Sequence, residues 1–224
     1  MGSVLVIGGG AAGLAAAIAA AECGDTVTVA EKMDRVGKKI LATGNGRCNL
    51  MNTGAPRYPG NAAFAADVLS RCGAEAQKAF WEHLGLRLRQ EEAGRVYPVS
   101  SQASSVLDAL RLQLTALHVR VVTGASITAL QRENDGWTAL SAAGQRFRAN
   151  RVIISGGGCA QPKLGSDGSA LRLMTNLGCP ATPFAPALTQ IITDSTPIKG
   201  LSGIRVKAPV SYTHLRAHET CADL

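Results

Sequence analysis

Residues 4–13, VLVIGGGAAG, decide the fold. Val4, Leu5, Val6 and Ile7 form a short apolar run with β-branched members, which predicts a buried strand. Gly8, Gly10 and Gly13 follow at G-x-G-x-x-G spacing, and the Ala-rich residues 14–22 (LAAAIAAAE) predict a helix. Residues 27–31 (VTVAE) predict a second strand that ends in an acid. The unit reads as βαβ around a dinucleotide. Gly8 permits the tight turn, Gly10 lets backbone approach a pyrophosphate, and Gly13 lets helix and strand pack closely. Unpaired N–H groups at the helix N-terminus face the phosphates. Glu31 lies about 20 residues past the glycines, where a carboxylate accepts ribose hydroxyls.

A membrane segment is the rival reading, because residues 2–21 carry no charge and are long enough to span a bilayer. No basic stretch precedes them, and three consecutive glycines weaken a spanning helix, so neither a membrane span nor a signal peptide is expected. The chain has 224 residues, enough for one substantial domain or one domain and part of another. Six Cys occur without a CxxC pair, so no metal site or disulfide motif is expected, and a cytoplasmic setting with reduced thiols is the default. The formal charge of +7 comes without a dense Lys/Arg run interleaved with aromatics. It therefore points to solvated surface and anionic cofactors rather than to nucleic acid.

The most specific stretch is residues 32–54, KMDRVGKKILATGNGRCNLMNTG. Gly44 and Gly46 expose backbone N–H groups; Thr43, Asn45 and Asn49 supply short polar side chains; Lys39 and Arg47 add charge. Such a loop can wrap a diphosphate and hydrogen-bond a polar ring edge. A solvated loop of ordinary turn residues is the alternative.

EK…GKKILATGNGRCN…N, with the opening VIGGGAAGLAAA, resembles the BaiN/YhiN-type NAD(P)/FAD-dependent oxidoreductases, a family that includes aminoacetone-oxidase-type FAD-binding enzymes. The resemblance implies an α/β fold with a Rossmann-like FAD-binding domain of the glutathione-reductase type. It implies that Gly8, Gly10, Ala11, Ala12 and Gly13 hold the pyrophosphate and that Glu31, followed by Lys32, serves the adenosine ribose. Lys39, Thr43, Gly44, Asn45, Gly46, Arg47, Cys48 and Asn49 fall along pyrophosphate, ribityl chain and flavin. Ile127 is the candidate for a main-chain contact with adenine. Gly156 and Gly157 resemble the family's T-G-G turn beside the FAD.

Elsewhere, residues 61–85 show helical apolar spacing (Phe64, Val68, Leu69, then Phe80, Trp81, Leu84) and predict a helix pair covering the sheet. Ser104 is a candidate cap for a helix over residues 106–117, and His118 at its end reads as structural. Residues 119–130 predict strand, turn and strand; 137–141 and 145–148 predict a short antiparallel ribbon; 151–155 predict another buried strand. Residues 165–168 (GSDG) resemble the family's P-x-x-G-[ST]-x-G segment, with Leu171 to Leu177 as the following helix. Cys48 and Cys159 both read as inert rather than redox-active. No general acid or base can be named; Tyr97 and Arg95 are candidate substrate-side groups.

Pro186-Ala187-Leu188 resembles the family's P-A-L lead into an inserted, mainly β domain. The domains expected are thus residues 1–188 for an incomplete FAD-binding domain and 189–209 for the start of the inserted one. Residues 210–224 (VSYTHLRAHETCADL) resemble a sequencing adapter translated in frame, so a non-native tail is expected there. The function the resemblance implies is FAD-dependent oxidoreduction, with NAD(P)H reducing a small unsaturated or carbonyl-conjugated substrate; bile-acid-type enones, to which family members are linked, are one such class. A flavin oxidase of a small amine, a nicotinamide-only dehydrogenase and a flavin-dependent RNA-modifying protein are the alternatives. Composition and motifs leave the oligomeric state open.

Overall fold

Strand β1 (Ser3–Ile7) is apolar on both faces, as a strand sandwiched between two layers must be. In the computed structural model, which describes residues 1–55, 58 and 61–184, it lies inside a four-stranded parallel sheet. Its neighbours are β2 (Thr26–Ala30) on one side and β10 (Arg151–Ile154) on the other, with β6 (Arg120–Val122) beyond β2, giving the order β10-β1-β2-β6. Because side chains alternate along a strand, Val4 and Val6 enter one core and Leu5 and Ile7 the other.

The first core is closed by α1 (Ala11–Glu22) and α5 (Ala103–Ala116). From α1, Gly13, Leu14, Ala17 and Ile18 are buried, one stripe at helical spacing. Val106, Leu107, Leu110 and Leu114 do the same from α5. Fully burying Leu14, Ile18 and Leu110 stabilises the fold by about 1.5–3 kcal/mol each. The second core is covered by an antiparallel meander, β7 (Ile127–Glu133), β8 (Gly136–Ser141) and β9 (Arg146–Ala149), and by α6 (Ser169–Asn176). The expected ribbon is therefore three-stranded, because residues 127–133 stay extended and pair with β8.

A third sheet, order β3-β5-β4, joins β3 (Met51–Asn52), β4 (Leu88–Gln90) and β5 (Arg95–Pro98). Between β3 and β4 run α3 (Ala62–Arg71) and α4 (Ala74–His83). Phe80 and Trp81 of α4 pack against the first core edge-on to each other, but α3 buries no residue and leaves Phe64 65% exposed. Only half of the predicted helix pair is thus a cover. Ser104 is not a cap either: the helix starts one residue earlier, after an extended Gln102, and no side chain caps it.

The remaining helix, α2 (Lys38–Ala42), is short and leads into the 3₁₀ turn Thr43–Gly46. The strand–turn–helix at residues 3–22 excludes a spanning helix there, and no described helix is long and apolar enough to cross a membrane. The chain divides into two units, Met1–Ala181 and Thr182–Leu224, and the first carries everything below. The P-A-L motif, the inserted-domain start at 189–209 and the adapter-like tail lie outside the described residues.

Candidate functional site

The chain builds the sheet outward from β1 to β2 to β6, then returns to lay β10 on β1's other side. The carboxyl ends of β1 and β10 therefore flank a topological switch point, where α/β sheets bind ligands. The turns after these two strands touch. Ser155 donates its N–H to the Ile7 carbonyl (2.8 Å), and its hydroxyl donates towards the Ile7 and Gly8 carbonyls (3.0 and 3.1 Å). Gly8 has φ +107°, and a Cβ there would stand 2.8 Å from the Gly156 Cα.

The three motif glycines do different things. A Cβ on Gly13 would sit 1.9 Å from the Gly8 carbonyl oxygen, so that glycine exists for packing. A Cβ on Gly10 would meet nothing within 4 Å. Gly10 is the extended N-cap of α1, with no side-chain cap and no acid in the first turn; Ala11 and Ala12 beside it are exposed. The first amides of α1 lack intrahelical acceptors, so this end attracts an anion. Glu31, at the end of β2, is 8% exposed. Its Oε2 accepts from the Gly9 N–H (2.5 Å) and its Oε1 from the Met33 N–H (2.8 Å). A carboxylate has about four lone-pair sites, so two bonds leave capacity for hydroxyls. A ribose-bearing diphosphate thus fits the donors and acceptors present.

The segment before α6 forms a second wall, fastened by Lys32 and Lys39 of the motif region. Lys39 donates to the buried Ser166 hydroxyl (2.5 Å), and burial pushes its ammonium below the ordinary lysine range. Lys32 pairs with Asp167 (2.6 Å) and reaches the Ser169 hydroxyl (3.3 Å). Gly157, at φ +75°, approaches Ser166 so closely that a Cβ would lie 2.8 Å from its hydroxyl oxygen. Desolvation opposes charge on Asp167, but Lys32 and Ser169 outweigh it and hold the carboxyl well below the usual range. Because the folded-state pKa is depressed, this latch stabilises fully above the ordinary carboxylate range. The contribution drains as pH falls towards the folded-state value. Asp167→Asn is expected to lower the urea midpoint near neutrality and to flatten its decline below about pH 4. Parallel pH profiles for wild type and variant would refute the latch.

The loop of Thr43, Gly44, Asn45, Gly46, Arg47, Cys48 and Asn49 leaves from the same end of the sheet. Gly37 donates to the Gly9 carbonyl (2.8 Å), and the five residues of α2 carry the chain from there to Thr43. Gly44, Asn45, Gly46 and Cys48 all have left-handed backbones, with φ between 55° and 80°. Thr43 donates its hydroxyl to the Ile40 carbonyl (2.7 Å), and Cys48 its N–H to the Thr43 carbonyl (3.0 Å). Cys48 is buried, and that burial pushes its thiol pKa up, against a weaker bond from Thr43; Cys159 is exposed. Arg47 is paired with Glu91 and stacked on Tyr97. Asn45, Gly44, Gly46 and Asn49 are exposed.

The structure therefore brings Gly8, Gly10, Gly13, Glu31, Gly156 and Gly157 together directly. It ties Lys32 and Lys39 to the same place through residues 166–169. Ile127 lies buried in the second core at a bulge in β7, shortly after Ala125, whose N–H donates to the Glu31 carbonyl (2.8 Å). Sequence reasoning missed Ser155 and Ser166, whose partners are distant in the chain, and the Glu91 contact to the loop. A separate concavity of about 450 Å³, lined by Met1, Gly2, Asp25, Asn150 and Arg151, sits at the opposite end of the parallel strands.

The fold is a Rossmann-like FAD-binding fold, with its topological switch point between β1 and β10. The chain belongs to the family described as HI0933-like protein Rossmann domain, which matches residues 2–218. It is 42% identical over 216 residues to a Clostridium scindens protein named 3-dehydro-bile acid delta(4,6)-reductase, covering 94% of this chain and 52% of that one. It is 26% identical over 219 residues to a ribosomal RNA dihydrouridine synthase from Haemophilus influenzae, covering 94% and 54%. The chain thus spans about half the length of these curated relatives. Among solved structures, the open conformation of a flavocytochrome c3 fumarate reductase superposes with TM-score 0.56 at 17% identity, over 79% of this chain and 40% of that one.

Proposed function

We propose that this chain is the nucleotide-binding part of an FAD-dependent oxidoreductase. In this reading the enzyme reduces a carbon–carbon double bond conjugated to a carbonyl in a small cytoplasmic molecule, with NAD(P)H as the reductant. The observation that carries the reading is the division of labour among the glycines: Gly8 and Gly13 are locked in packing, Gly9 binds the buried Glu31 carboxylate, and Gly10 next to it faces open space. When bound, FAD would supply the hydride-transfer chemistry. The chain's own residues bind and orient it. Gly10 and the amides of Ala11 and Ala12 receive the pyrophosphate, and Glu31 the ribose hydroxyls. Ile127 offers its main chain to adenine. Lys39, Gly156, Gly157 and the loop from Thr43 to Asn49 serve the ribityl and flavin side.

The reaction class is supported by the relatives' names. A 3-dehydro delta(4,6) substrate carries double bonds conjugated to a 3-oxo group, and uridine's reducible bond is conjugated to a ring carbonyl. The 42% identity favours the small-molecule enone. Ribosomal RNA is the second reading; the 26% relative and exposed Arg146 and Arg148 on β9 support it.

FAD titration followed by flavin fluorescence tests the cofactor, with stoichiometric quenching expected. Protein that binds NAD tightly and leaves flavin fluorescence unchanged would sink the proposal. Anaerobic bleaching by NADPH, then recovery on adding an enone or oxygen, separates reductase from oxidase. Binding to RNA that weakens steeply with salt would favour the second reading.

A further inference from the structure

The loop from Thr43 to Asn49 holds four left-handed residues, of which Cys48 is neither glycine nor asparagine. Asn45 (φ 55°) and Cys48 (φ 57°) are non-glycine residues in the left-handed region, which is sparsely populated for side chains with a Cβ. Such backbone persists only where its surroundings over-determine it. The bonds from Thr43 and Cys48 are local and tie the loop only to itself and to α2. Outside support comes from the first core, in which Cys48 is buried, and from the third sheet and its β4–β5 connection.

Two groups of that sheet and connection grip the loop. The Arg47 guanidinium lies over the ring of Tyr97, 4.0 Å from its centroid, and its Nη2 meets Glu91 Oε1 at 2.5 Å. Glu91 Oε1 is itself held by Arg89 Nη2 (2.9 Å), and Arg89 also donates to the Ser101 hydroxyl (2.9 Å). The Tyr97 ring is buried, and its edge would stand 3.4 Å from a Cβ on Gly44. The same substituent would stand 2.7 Å from the Asn49 amide nitrogen, so the two ends of the loop are pressed together over Tyr97. Glu91 thus bridges two arginines, Arg89 of β4 and Arg47 of the loop.

We propose that Glu91 and Tyr97 are positioning residues that, through Arg47, preform the 43–49 loop for the flavin half of the cofactor. The inference rests on the FAD reading above and assigns neither residue to contact with the cofactor. It makes a distinction that a general structural role does not. Gly10 and Glu31 serve the adenosine diphosphate half, so loosening the loop affects FAD while sparing ADP.

The test uses the full chain without ligand, then with ADP or FAD. Glu91→Gln removes the ion pair while keeping the side-chain shape, Tyr97→Leu removes the ring, and Tyr97→Phe keeps it. For Glu91→Gln and Tyr97→Leu, ADP affinity is expected to stay within about twofold while FAD affinity falls about tenfold or more. In the ligand-free state, amide exchange across residues 44–49 is expected to quicken in those two variants and to stay as in wild type in Tyr97→Phe. Equal losses for ADP and FAD, or FAD affinity unchanged in both variants, overturn the inference. Wild type that binds ADP but not FAD overturns the FAD reading and this inference with it. Wild type that binds FAD as tightly as the variants do overturns this inference alone.

Discussion

Gly13→Ala is expected to destroy the nucleotide-binding fold rather than tune it. The added methyl would stand 1.9 Å from the Gly8 carbonyl oxygen and 2.6 Å from the Ser155 hydroxyl. The first of these is backbone and cannot swing aside. Moving it means parting α1 from β1, at the centre of the first core. Overpacking of a close-packed interior costs about 1–3 kcal/mol where side chains can adjust, and more where backbone must move. Urea denaturation is expected to show a loss at or above that upper end, or no cooperative transition. A midpoint equal to wild type would mean that helix and strand are further apart than described.

Gly10→Ala is expected to do the reverse. Its added Cβ meets no atom within 4 Å, and φ of −82° suits any residue. Stability should fall by no more than about 1 kcal/mol, the cost of alanine in place of glycine at a helix N-cap. FAD affinity should nevertheless fall by about tenfold or more, because the methyl occupies the space that lets a pyrophosphate reach the α1 amides. Calorimetric melting and flavin titration of the same sample would read both quantities. If affinity holds and stability drops, Gly10 is a packing glycine and the cradle lies elsewhere. Two alanines three residues apart thus separate folding from cofactor capture.

The parts of this architecture legible in the sequence are those whose partners are near in the chain. The β1–α1–β2 unit is one: an apolar run, the spaced glycines and a terminal acid all lie within 31 residues. In the structure that acid accepts a hydrogen bond from the Gly9 N–H. The loop at Gly44-Asn45-Gly46 was legible as a loop, and its left-handed backbone suits glycine and asparagine, which tolerate positive φ. Other features were not legible. The third sheet has strands of two to four residues, too short for an alternation signal. Lys39 and Ser166 are 127 positions apart, so no local pattern predicts that the lysine's charge is directed to that hydroxyl. The amphipathic spacing of α3 misled in another way: Phe64 and Val68 do share a helical face, yet that face meets no core among the described residues. Periodicity tells which side of a helix is apolar, not whether anything lies against it.

The seating of β10 beside β1 has a consequence for how the protein is made. The Gly8 turn finds its opposite wall, Ser155 to Gly157, only when a strand synthesised about 150 residues later arrives beside β1 at the edge of the sheet. A ribosome-tethered chain that has exposed only its first βαβ unit holds Gly10 and Glu31 but no closed crevice. Flavin loading therefore belongs to the end of translation of this segment.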